Sequence, residues 1–405
     1  MKRSPVVQRK TAIVFPFFEH YRAGVLKALL TTGREFILVA GQSDPLHSIK
    51  AWEFPAGTQF RKATGRYLGG RVFWQQRLLR LACNRAISSI IYRGDAAFIM
   101  TWLSASIARL FGKRVFFWTH GYTRRDTGIK RYVRKAFYHL SHGLLLHGHA
   151  AKIIALEEGF APDRLYVIYN SLDYEEQKKL RVTILPARIR ELRTLLFGNP
   201  DTPIVICTTR LTRVRRLDLL VEAVALLRKS GYAINILLVG DGPERVPVES
   251  LAAQKNIPLR FYGECYDEKI LAELVMAADV TVAPGKVGLT AMHSLAFGVP
   301  VITHDTWDDQ MPEWEAILPG KTGDVFRRDD IVSLSETIRR WTDSSQSRDL
   351  VRGQCINIIE KLFNPVHQAH CILRALDGYP ANESLNAEEQ LIFDHQRALM
   401  SSTKG

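Results

Sequence analysis

Short runs of consecutive apolar residues recur through the first half of the chain, and stretches with helical spacing lie between them. Uninterrupted apolar runs, rather than runs that alternate with polar residues, are typical of parallel strands covered on both faces. Strands and helices in this alternation predict a doubly wound α/β domain. The predicted strands are residues 11–17, 36–40, 97–102, 115–119, 143–146 and 165–169, and two of the predicted helices are residues 21–30 and 130–140.

The same rhythm stops near residue 172 and restarts after residue 200. The segment between these points contains a charged helix, two prolines and an exit rich in turn residues, which is typical of a linker. Since 405 residues also exceed one ordinary core, we predict two domains, residues 1–178 and 201–365, with a linker over 179–200 and a helical tail over 366–405. The second series of strands is predicted at residues 204–208, 234–239, 259–262, 280–283 and 299–303, and the helices between them at 218–229, 246–255, 268–277 and 290–297.

The composition, 46% hydrophobic and 24% charged, is that of a soluble globular protein. The five cysteines are scattered and none is in a CxxC pair, which indicates a reducing compartment and argues against a disulfide framework or a zinc site. The first residues lack the pattern of a signal peptide. No apolar run reaches the roughly 18 residues needed to span a bilayer, since the nearest, residues 86–110, is interrupted by Arg93 and Asp95. We therefore expect a cytoplasmic protein, at most peripheral on the inner face of the cell membrane.

Positive charge is concentrated in the first 150 residues, which hold 25 Lys and Arg against six Asp and Glu, a net +19. The rest of the chain holds 30 bases and 35 acids, a net −5, which gives +14 for the whole. A basic half suits an anionic membrane, a phosphorylated acceptor or nucleic acid, or is simply a solvated surface. No nucleic-acid-binding module is recognisable, so no nucleic-acid partner is expected. Residues 61–85, with seven bases among aromatic and leucine residues, predict either a segment on an anionic bilayer or an ordinary surface helix.

The loop after the predicted strand 204–208 contains four arginines within seven residues, among them Arg210 and Arg215. Cations at the point where a parallel strand leads into a helix are placed to meet an anionic ligand. Guanidinium groups suit a diphosphate because they bind its oxygens in a planar fork and stay charged. The loop therefore predicts a diphosphate site, with an unliganded basic loop as the alternative.

Two glycine-containing turns follow further predicted strands. The Gly-Asp-Gly-Pro turn that begins at Gly240 is by itself a weak signal, because many α/β proteins end strands in this way. The second turn contains Gly285 and Gly288 and leads into a helix, so its backbone can approach a ligand closely. The free N–H groups of residues 288–290, together with the helix dipole, predict an anion site. His293, on the first turns of that helix, is either structural or in contact with the ligand.

Together these motifs resemble those of glycosyltransferase family 4, the retaining GT-B enzymes that use nucleotide-sugar donors. Arg210 and Arg215 resemble the basic residues of the family's G-R-L-x-x-x-K-G motif, which hold the donor diphosphate. The turn at Gly240 matches its G-D-G-P, and residues 288–301 match its G-L-x-x-x-E-A-x-A-x-G-x-P-V. Residues 170–173 resemble its N-G-V-D. The resemblance implies a GT-B fold, with two Rossmann-like, doubly wound parallel-sheet domains that face each other across a cleft.

The chain departs from the family pattern at its two paired glutamates, which map onto Gly285 and His293. In the family the first contacts the donor sugar and the second usually the ribose, so this chain makes those contacts differently. The family's N-terminal glycine loop is replaced by residues 18–22, whose His-Tyr-Arg sequence resembles a subset of bacterial surface-polysaccharide transferases. His120 falls where such enzymes place a histidine that faces the donor sugar.

The residues and the resemblance together predict three sets of site residues. The predicted catalytic residues are His120, Arg210 and Arg215. The predicted donor-binding residues are Gly240, Gly285, Val287, Gly288, Leu289, Thr290 and His293. The acceptor-side candidates are Glu19, His20 and Arg22.

The predicted reaction transfers a sugar from a nucleotide-diphosphate sugar to an acceptor hydroxyl, with retention implied by the resemblance. The expected acceptor is a lipid-linked or polysaccharide intermediate of cell-surface glycan synthesis. The chain has no Asp-x-Asp motif, so we expect no metal and no other cofactor. Two alternatives stay open: a sugar-nucleotide 2-epimerase, for which no carboxylate cluster is found, and a non-catalytic nucleotide-sugar-binding descendant, suggested by the lost glutamates.

Overall fold

The computed structural model describes residues 10–43, 50–69, 72–343, 347–381 and 385–402. The chain divides into two compact units. The first consists of the residues up to Asp173 together with Asn364–Ala387, and the second consists of Tyr174–Phe363 together with the residues from Glu388 onward. Among the described residues, no helix is both long and apolar enough to cross a membrane.

The described strands are named in chain order. They are β1 (Lys10–Val14), β2 (Phe36–Ala40), β3 (Phe60–Lys62), β4 (Gly65–Leu68), β5 (Val72–Gln75), β6 (Ile87–Arg93), β7 (Arg114–Thr119), β8 (Gly143–Leu146), β9 (Leu165–Val167), β10 (Ile204–Thr208), β11 (Asn235–Val239), β12 (Leu259–Gly263), β13 (Val280–Ala283), β14 (Val301–His304) and β15 (Gly323–Phe326).

The described α-helices are named in the same way. They are α1 (Ala23–Leu30), α2 (Leu78–Cys83), α3 (Ile99–Leu110), α4 (Gly128–His139), α5 (His149–Glu157), α6 (Tyr174–Thr183), α7 (Pro186–Phe197), α8 (Leu217–Lys229), α9 (Arg245–Gln254), α10 (Glu268–Met276), α11 (Leu289–Ala296), α12 (Ile331–Thr342), α13 (Arg348–Lys361), α14 (Pro365–Asp377) and α15 (Ala387–Ser402).

The first unit is built on a parallel sheet with the strand order β3-β2-β1-β6-β7-β8-β9. The order reverses direction between β1 and β6. One buried cluster contains Ile13 of β1, Phe15 just after it, Trp118 of β7, Val25 of α1 and Ile372 of α14. Helix α14, which the sequence predicts to lie in a separate tail, thus completes the core of the first unit.

The second unit is built on a parallel sheet with the order β12-β11-β10-β13-β14-β15. Successive residues of β10 point to opposite faces. Ile204 and Ile206 pack in a cluster with residues of α7 and α10, whereas Val205 and Cys207 pack with residues of α8, α9 and α12. Since helices cover both faces, this unit is doubly wound, as predicted.

The prediction of a strand at residues 97–102 is wrong. These residues enter helix α3, and the strand of this region is β6, which the sequence analysis missed. A short apolar run does not distinguish a buried strand from a buried helix. The distinguishing signal follows the run, because the buried positions Met100, Ser104 and Ala108 recur every four residues.

The single helix considered for residues 61–85 is also wrong. The described part of this segment contains the end of β3, the antiparallel pair β4–β5 and the short helix α2, while residues 70 and 71 lie outside the described residues. The predicted linker also differs, since α6 and α7 occupy it and contribute Ile184, just after α6, and Leu192 to the core of the second unit.

Candidate functional site

The strand order of the second unit reverses at the boundary between β10 and β13. In open parallel sheets, ligands bind outside the carboxyl ends of the strands at such a switch point. The loop after β10 carries Arg210 and Arg215, and the loop after β13 leads through Gly285 and Gly288 into α11. The two predicted halves of the diphosphate site therefore flank the same switch point.

The arginines of the loop after β10 differ in their surroundings. Arg210 is exposed, and its guanidinium makes no ion pair with any residue that the structure describes. Arg215 donates from Nη1 to the carbonyl oxygen of Lys286, while its Nε has no partner within the described ranges. Arg216 is paired with Asp218 and Asp329. Arg210 is thus a free cation, and Arg215 ties the arginine loop to the glycine loop.

The two glycines of the loop after β13 differ in how much space surrounds their Cα atoms. A Cβ atom on Gly285 would lie 2.1 Å from the carbonyl oxygen of Val214, so the arginine loop occupies the space that a side chain would need. A Cβ atom on Gly288 would meet only Cγ of Met311, at 3.9 Å. Gly285 is therefore required for packing, and the open space beside the backbone is at Gly288.

Helix α11 presents free N–H groups at its start. The backbone N–H groups of Gly288, Leu289 and Thr290 have no acceptor in the part of the chain that the structure describes, as expected for a first helical turn. The N–H of Val287 is already used, because it donates to Oε1 of Gln310 at 2.8 Å. The anion site therefore begins at Gly288, and Val287 is a support of the loop.

Gln310 is a site residue that the sequence analysis missed. It is buried, and its Nε2 donates to Oγ1 of Thr303 at 2.9 Å and to the carbonyl oxygen of His304 at 3.0 Å. It thereby fastens the glycine loop to the end of β14. No motif signals this role, since Gln310 follows the short 3-10 turn Trp307–Asp309 and the contact exists only in the folded chain.

The remaining predicted donor-binding residues, Gly240, Thr290 and His293, contact other residues of the second unit. A Cβ atom on Gly240 would lie 1.9 Å from the carbonyl oxygen of Thr209, so Gly240 packs against the arginine loop. Thr290 contacts Thr208 through their hydroxyl groups. His293 is buried and hydrogen bonds through Nε2 to Oε1 of Glu268 on α10, at 2.8 Å. Glu268 is a second residue that the sequence analysis missed.

The first unit has its own cavity of about 210 Å³ at the carboxyl ends of its strands. It lies at the place where the strand order reverses between β1 and β6 and extends along β7 and β8. Among the side chains that line it are Phe15, Arg22, Arg93, Trp118, His120 and His147.

Glu19 and Arg22 form a buried ion pair next to this cavity, with Nε of Arg22 2.7 Å from Oε2 of Glu19. Burial alone would raise the pKa of the Glu19 carboxyl, but the charges of Arg22 and Arg93 hold it below its ordinary value. The Arg22 guanidinium lies over the rings of Phe15 and Trp118, at 5.0 and 5.3 Å from their centroids. Arg22 is therefore fixed on three sides.

His120 and His147 follow the neighbouring strands β7 and β8, and their ring centroids are 4.6 Å apart. Burial, assisted by the positive charges of Arg22 and Arg93, lowers the pKa of His120 to about 4. Burial also lowers the pKa of His147 well below its ordinary value. Both rings are thus neutral near pH 7.

The structure brings together two of the predicted residues of the first unit and leaves a third outside. Arg22 and His120 line the cavity, and Glu19 acts on it through Arg22. His20 is exposed, and its Nδ1 lies 3.2 Å from the carbonyl oxygen of Lys50. His147 is a further lining residue that the sequence analysis did not single out.

The family whose model matches this chain is matched within the second unit. Residues 190–353 match the family model for glycosyl transferases group 1. A GDP-mannose-dependent alpha-(1-6)-phosphatidylinositol dimannoside mannosyltransferase of Mycobacterium tuberculosis is 31% identical over 123 residues, which are 30% of this chain and 31% of that protein. A 2-deoxystreptamine glucosyltransferase of Streptomyces kanamyceticus is 28% identical over 190 residues, which are 44% of this chain and 47% of that protein. The chain thus spans less than half the length of either curated relative.

Solved structures extend the likeness to both units. HepE of Anabaena, solved in complex with UDP, has a TM-score of 0.68 and 15% identity, and the match covers 91% of this chain and 99% of that chain. At this identity the likeness concerns the fold. It confirms the predicted GT-B type of fold, with two Rossmann-like domains.

Proposed function

We propose that this chain is a glycosyltransferase that moves a sugar from a nucleotide-diphosphate sugar to an acceptor hydroxyl, and that its second unit holds the donor diphosphate. The observation that carries the proposal is the convergence, at one switch point, of the unpaired Arg210 with the free N–H groups of residues 288–290. The match of residues 190–353 to the glycosyl transferases group 1 model supports it, because that segment contains both halves of this site.

In this reaction negative charge grows on the departing diphosphate. Arg210 is proposed to supply an exposed, unpaired guanidinium to that charge, and the start of α11 to supply fixed N–H donors. Groups aimed at developing charge are usually the largest catalytic contribution, and removal of one such donor lowers the rate by about 10²–10³-fold. Arg215 is proposed to act on the same oxygens and to hold the two loops in register through Lys286.

His120 is proposed to contact the reacting sugar or the acceptor from the first unit. Its neutral ring can accept a proton or a hydrogen bond near pH 7, because its pKa is about 4 and no hydrogen bond to a described residue occupies it. Arg22, held by Glu19, is proposed to keep the potential of this cavity positive.

The test of donor binding is a thermal-shift panel of nucleotide diphosphates and their sugars, since ligands of the native state raise its stability. The panel includes UDP, with which HepE was solved, and GDP, the nucleotide in the name of the mycobacterial relative. We expect one nucleotide diphosphate to raise Tm in the wild type and to lose most of this effect in Arg210→Ala.

Lys229→Ala is the matched control, because Lys229 is an exposed base at the far end of α8 from the arginine loop. The proposal fails if no nucleotide diphosphate stabilises the chain, or if Lys229→Ala loses as much stabilisation as Arg210→Ala. Incubation of the donor without an acceptor separates the epimerase alternative, which alone would give a new nucleotide-sugar. The anomeric configuration of a transferase product, read by NMR, tests retention.

We further propose that the acceptor is lipid-linked and that the first unit meets an anionic membrane surface through α4. This helix contains four bases and no acid. It exposes Ile129, Tyr132 and Val133, by 81%, 69% and 45%. Three of the bases are paired with acids outside the helix, since Lys130 and Arg134 both pair with Asp126 and Arg131 pairs with Glu158. Apolar side chains beside bases are typical of helices that lie in the interface of anionic bilayers.

Vesicle sedimentation tests this surface. The wild type is expected to bind vesicles that contain phosphatidylglycerol and to be released as salt rises, whereas Ile129→Ser with Tyr132→Ser is expected to bind weakly. Leu195→Ser is the control, because Leu195 is a similarly exposed apolar residue on α7 of the second unit. Absence of vesicle binding at low salt contradicts the membrane proposal and leaves the transferase proposal standing.

A further inference from the structure

His147 is the most deeply buried polar side chain of the first unit's cavity. It follows β8 directly and is 1% exposed. Its Nε2 is 2.8 Å from Nε1 of Trp118. An indole N–H only donates, so Nε2 of His147 must be the acceptor of this hydrogen bond.

The Trp118 bond fixes the tautomer of His147. Because Nε2 accepts and the ring is neutral, the ring proton must be on Nδ1. This Nδ1–H is buried and has no acceptor in the part of the chain that the structure describes. A buried donor without an acceptor is destabilising and is uncommon in native proteins, so this one calls for an explanation.

None of the side chains that line the cavity provides the missing acceptor: Asp95, Thr119 and Tyr138 can accept, but none of them is hydrogen bonded to Nδ1 of His147. Arg22 and Arg93 line the same cavity, but guanidinium groups only donate. The His120 ring is inclined by 62° to that of His147, and the two are not hydrogen bonded. A ligand in the cavity is then the natural source of an acceptor.

We propose that His147 is a ligand-binding residue whose Nδ1–H donates a hydrogen bond to a sugar hydroxyl oxygen in the cavity of the first unit, beside His120. The inference rests on the proposed function, since the sugar is that of the donor or of the acceptor. A hydroxyl suits this pair of rings because it both accepts and donates. His147 offers only a donor, and neutral His120 can accept from the same hydroxyl through its unprotonated ring nitrogen.

Two substitutions separate the ligand contact from the structural one. In His147→Gln the side-chain oxygen can reach the place of Nε2 and keep the Trp118 bond, while the donor at Nδ1 is lost. In His147→Asn the amide nitrogen takes the place of Nδ1 and keeps the donor, while the Trp118 bond is lost. Since a neutral hydrogen bond contributes about 0.5–1.5 kcal/mol, each loss corresponds to about a 2- to 13-fold change.

The probes are UDP-glucose against UDP and GDP-mannose against GDP for the donor sugar, and soluble glucose, mannose and galactose for the acceptor. We expect His147→Gln to keep the Tm of the wild type but to lose sugar affinity, measured as the extra affinity of the nucleotide-sugar over its nucleotide or as the KM for the saccharide. His147→Asn is expected to lower Tm and to retain more of that sugar affinity. The arm that changes identifies whether the sugar is that of the donor or the acceptor.

A spectroscopic readout is independent of activity. In protein labelled with ¹⁵N-histidine, the Nδ1–H signal of His147 is expected to be present without ligand and to shift when the sugar-containing probe binds, but not when the nucleotide alone binds. If both variants lose sugar affinity in step with Tm, or if the Nδ1–H signal ignores every sugar while the nucleotides bind, the inference is overturned. Failure of all nucleotides to bind the wild type instead overturns the proposed function.

Discussion

The backbone N–H of Val287 donates a hydrogen bond to Oε1 of Gln310 across 2.8 Å, and the amide of the same Gln310 side chain is bound to Thr303 and His304. One side chain thus connects the glycine loop to the neighbouring strand end. The conformation of the proposed anion site depends on a residue that lies 23 positions further along the chain.

Gln310→Leu is expected to lower both stability and nucleotide binding. The substitution keeps the approximate volume but leaves the N–H of Val287 unpaired and buried, at a cost of about 1–3 kcal/mol. Urea unfolding measures the first effect, and titration with the nucleotide diphosphate identified by thermal shift measures the second. Gln254→Leu, on the exposed end of α9, is the control. Unchanged nucleotide affinity in Gln310→Leu would show that the loop holds its shape without this contact.

The two loop glycines are expected to respond in opposite ways to alanine. Gly285→Ala drives a Cβ into the Val214 carbonyl oxygen and is expected to destabilise the second unit strongly. In Gly288→Ala the added Cβ meets open space, so the free energy of unfolding is expected to stay within about 1 kcal/mol of the wild-type value. The methyl group is nevertheless expected to obstruct the approach of a phosphate. Denaturant midpoints and nucleotide affinity, measured on both variants, check this. Equal losses of stability in the two variants contradict the steric distinction.

Removal of the Glu19 carboxylate is expected to destabilise the first unit. Glu19→Gln leaves the buried Arg22 without its counter-charge, and breaking a buried pair in this way typically costs about 3–5 kcal/mol. Asp201→Asn breaks the exposed pair between Asp201 and Arg190 and is expected to have little effect, since exposed pairs are weak. Urea unfolding of the two variants gives the comparison. A Glu19→Gln protein as stable as Asp201→Asn rules out this role for the pair.

The half-buried His120 is expected to make stability fall on acidification. Its pKa is about 4 in the folded protein and near 6.5 when unfolded, so between these values the unfolded chain binds more protons. The contribution of neutral His120 is therefore complete above about pH 6.5 and is lost as the pH falls toward 4. The free energy of unfolding, measured from pH 7.5 to 4.5, should fall less steeply in His120→Asn than in the wild type or in the exposed-site control His370→Asn. Parallel curves for all three proteins contradict the assignment.

Much of the fold was predictable because parallel strands buried on both faces leave uninterrupted apolar runs. β2, β7, β8, β10 and β13 lie where the sequence predicts them. The run at residues 97–102 failed because an apolar run of this length has no period of its own, and the helical spacing of α3 begins only inside it. The helix α14 was assigned to a tail because its partner helix α1 precedes it by more than 300 positions, a separation that no local pattern reveals.

The candidate site was predictable where it consists of local motifs and was not where it consists of side chains brought together by folding. Arg210 and Gly288 are marked by their position after strands. Gln310 and Glu268 have no local signature, and they are found only through the atoms they contact, Val287 N and His293 Nε2. His147 was not predicted because its tautomer is fixed by a hydrogen bond from Trp118, which lies on a neighbouring strand.

The first unit is discontinuous in sequence, since residues 364–387 return to it after the second unit is complete. On a ribosome that adds about 5–20 residues per second, the nascent first unit waits on the order of ten to forty seconds before α14 is synthesised. Throughout that interval the apolar face that α1 shares with Ile372 and Leu376 has no cover. A fragment that stops at Asp173 is therefore expected to aggregate, and the chain is expected to depend on holding chaperones early in its synthesis.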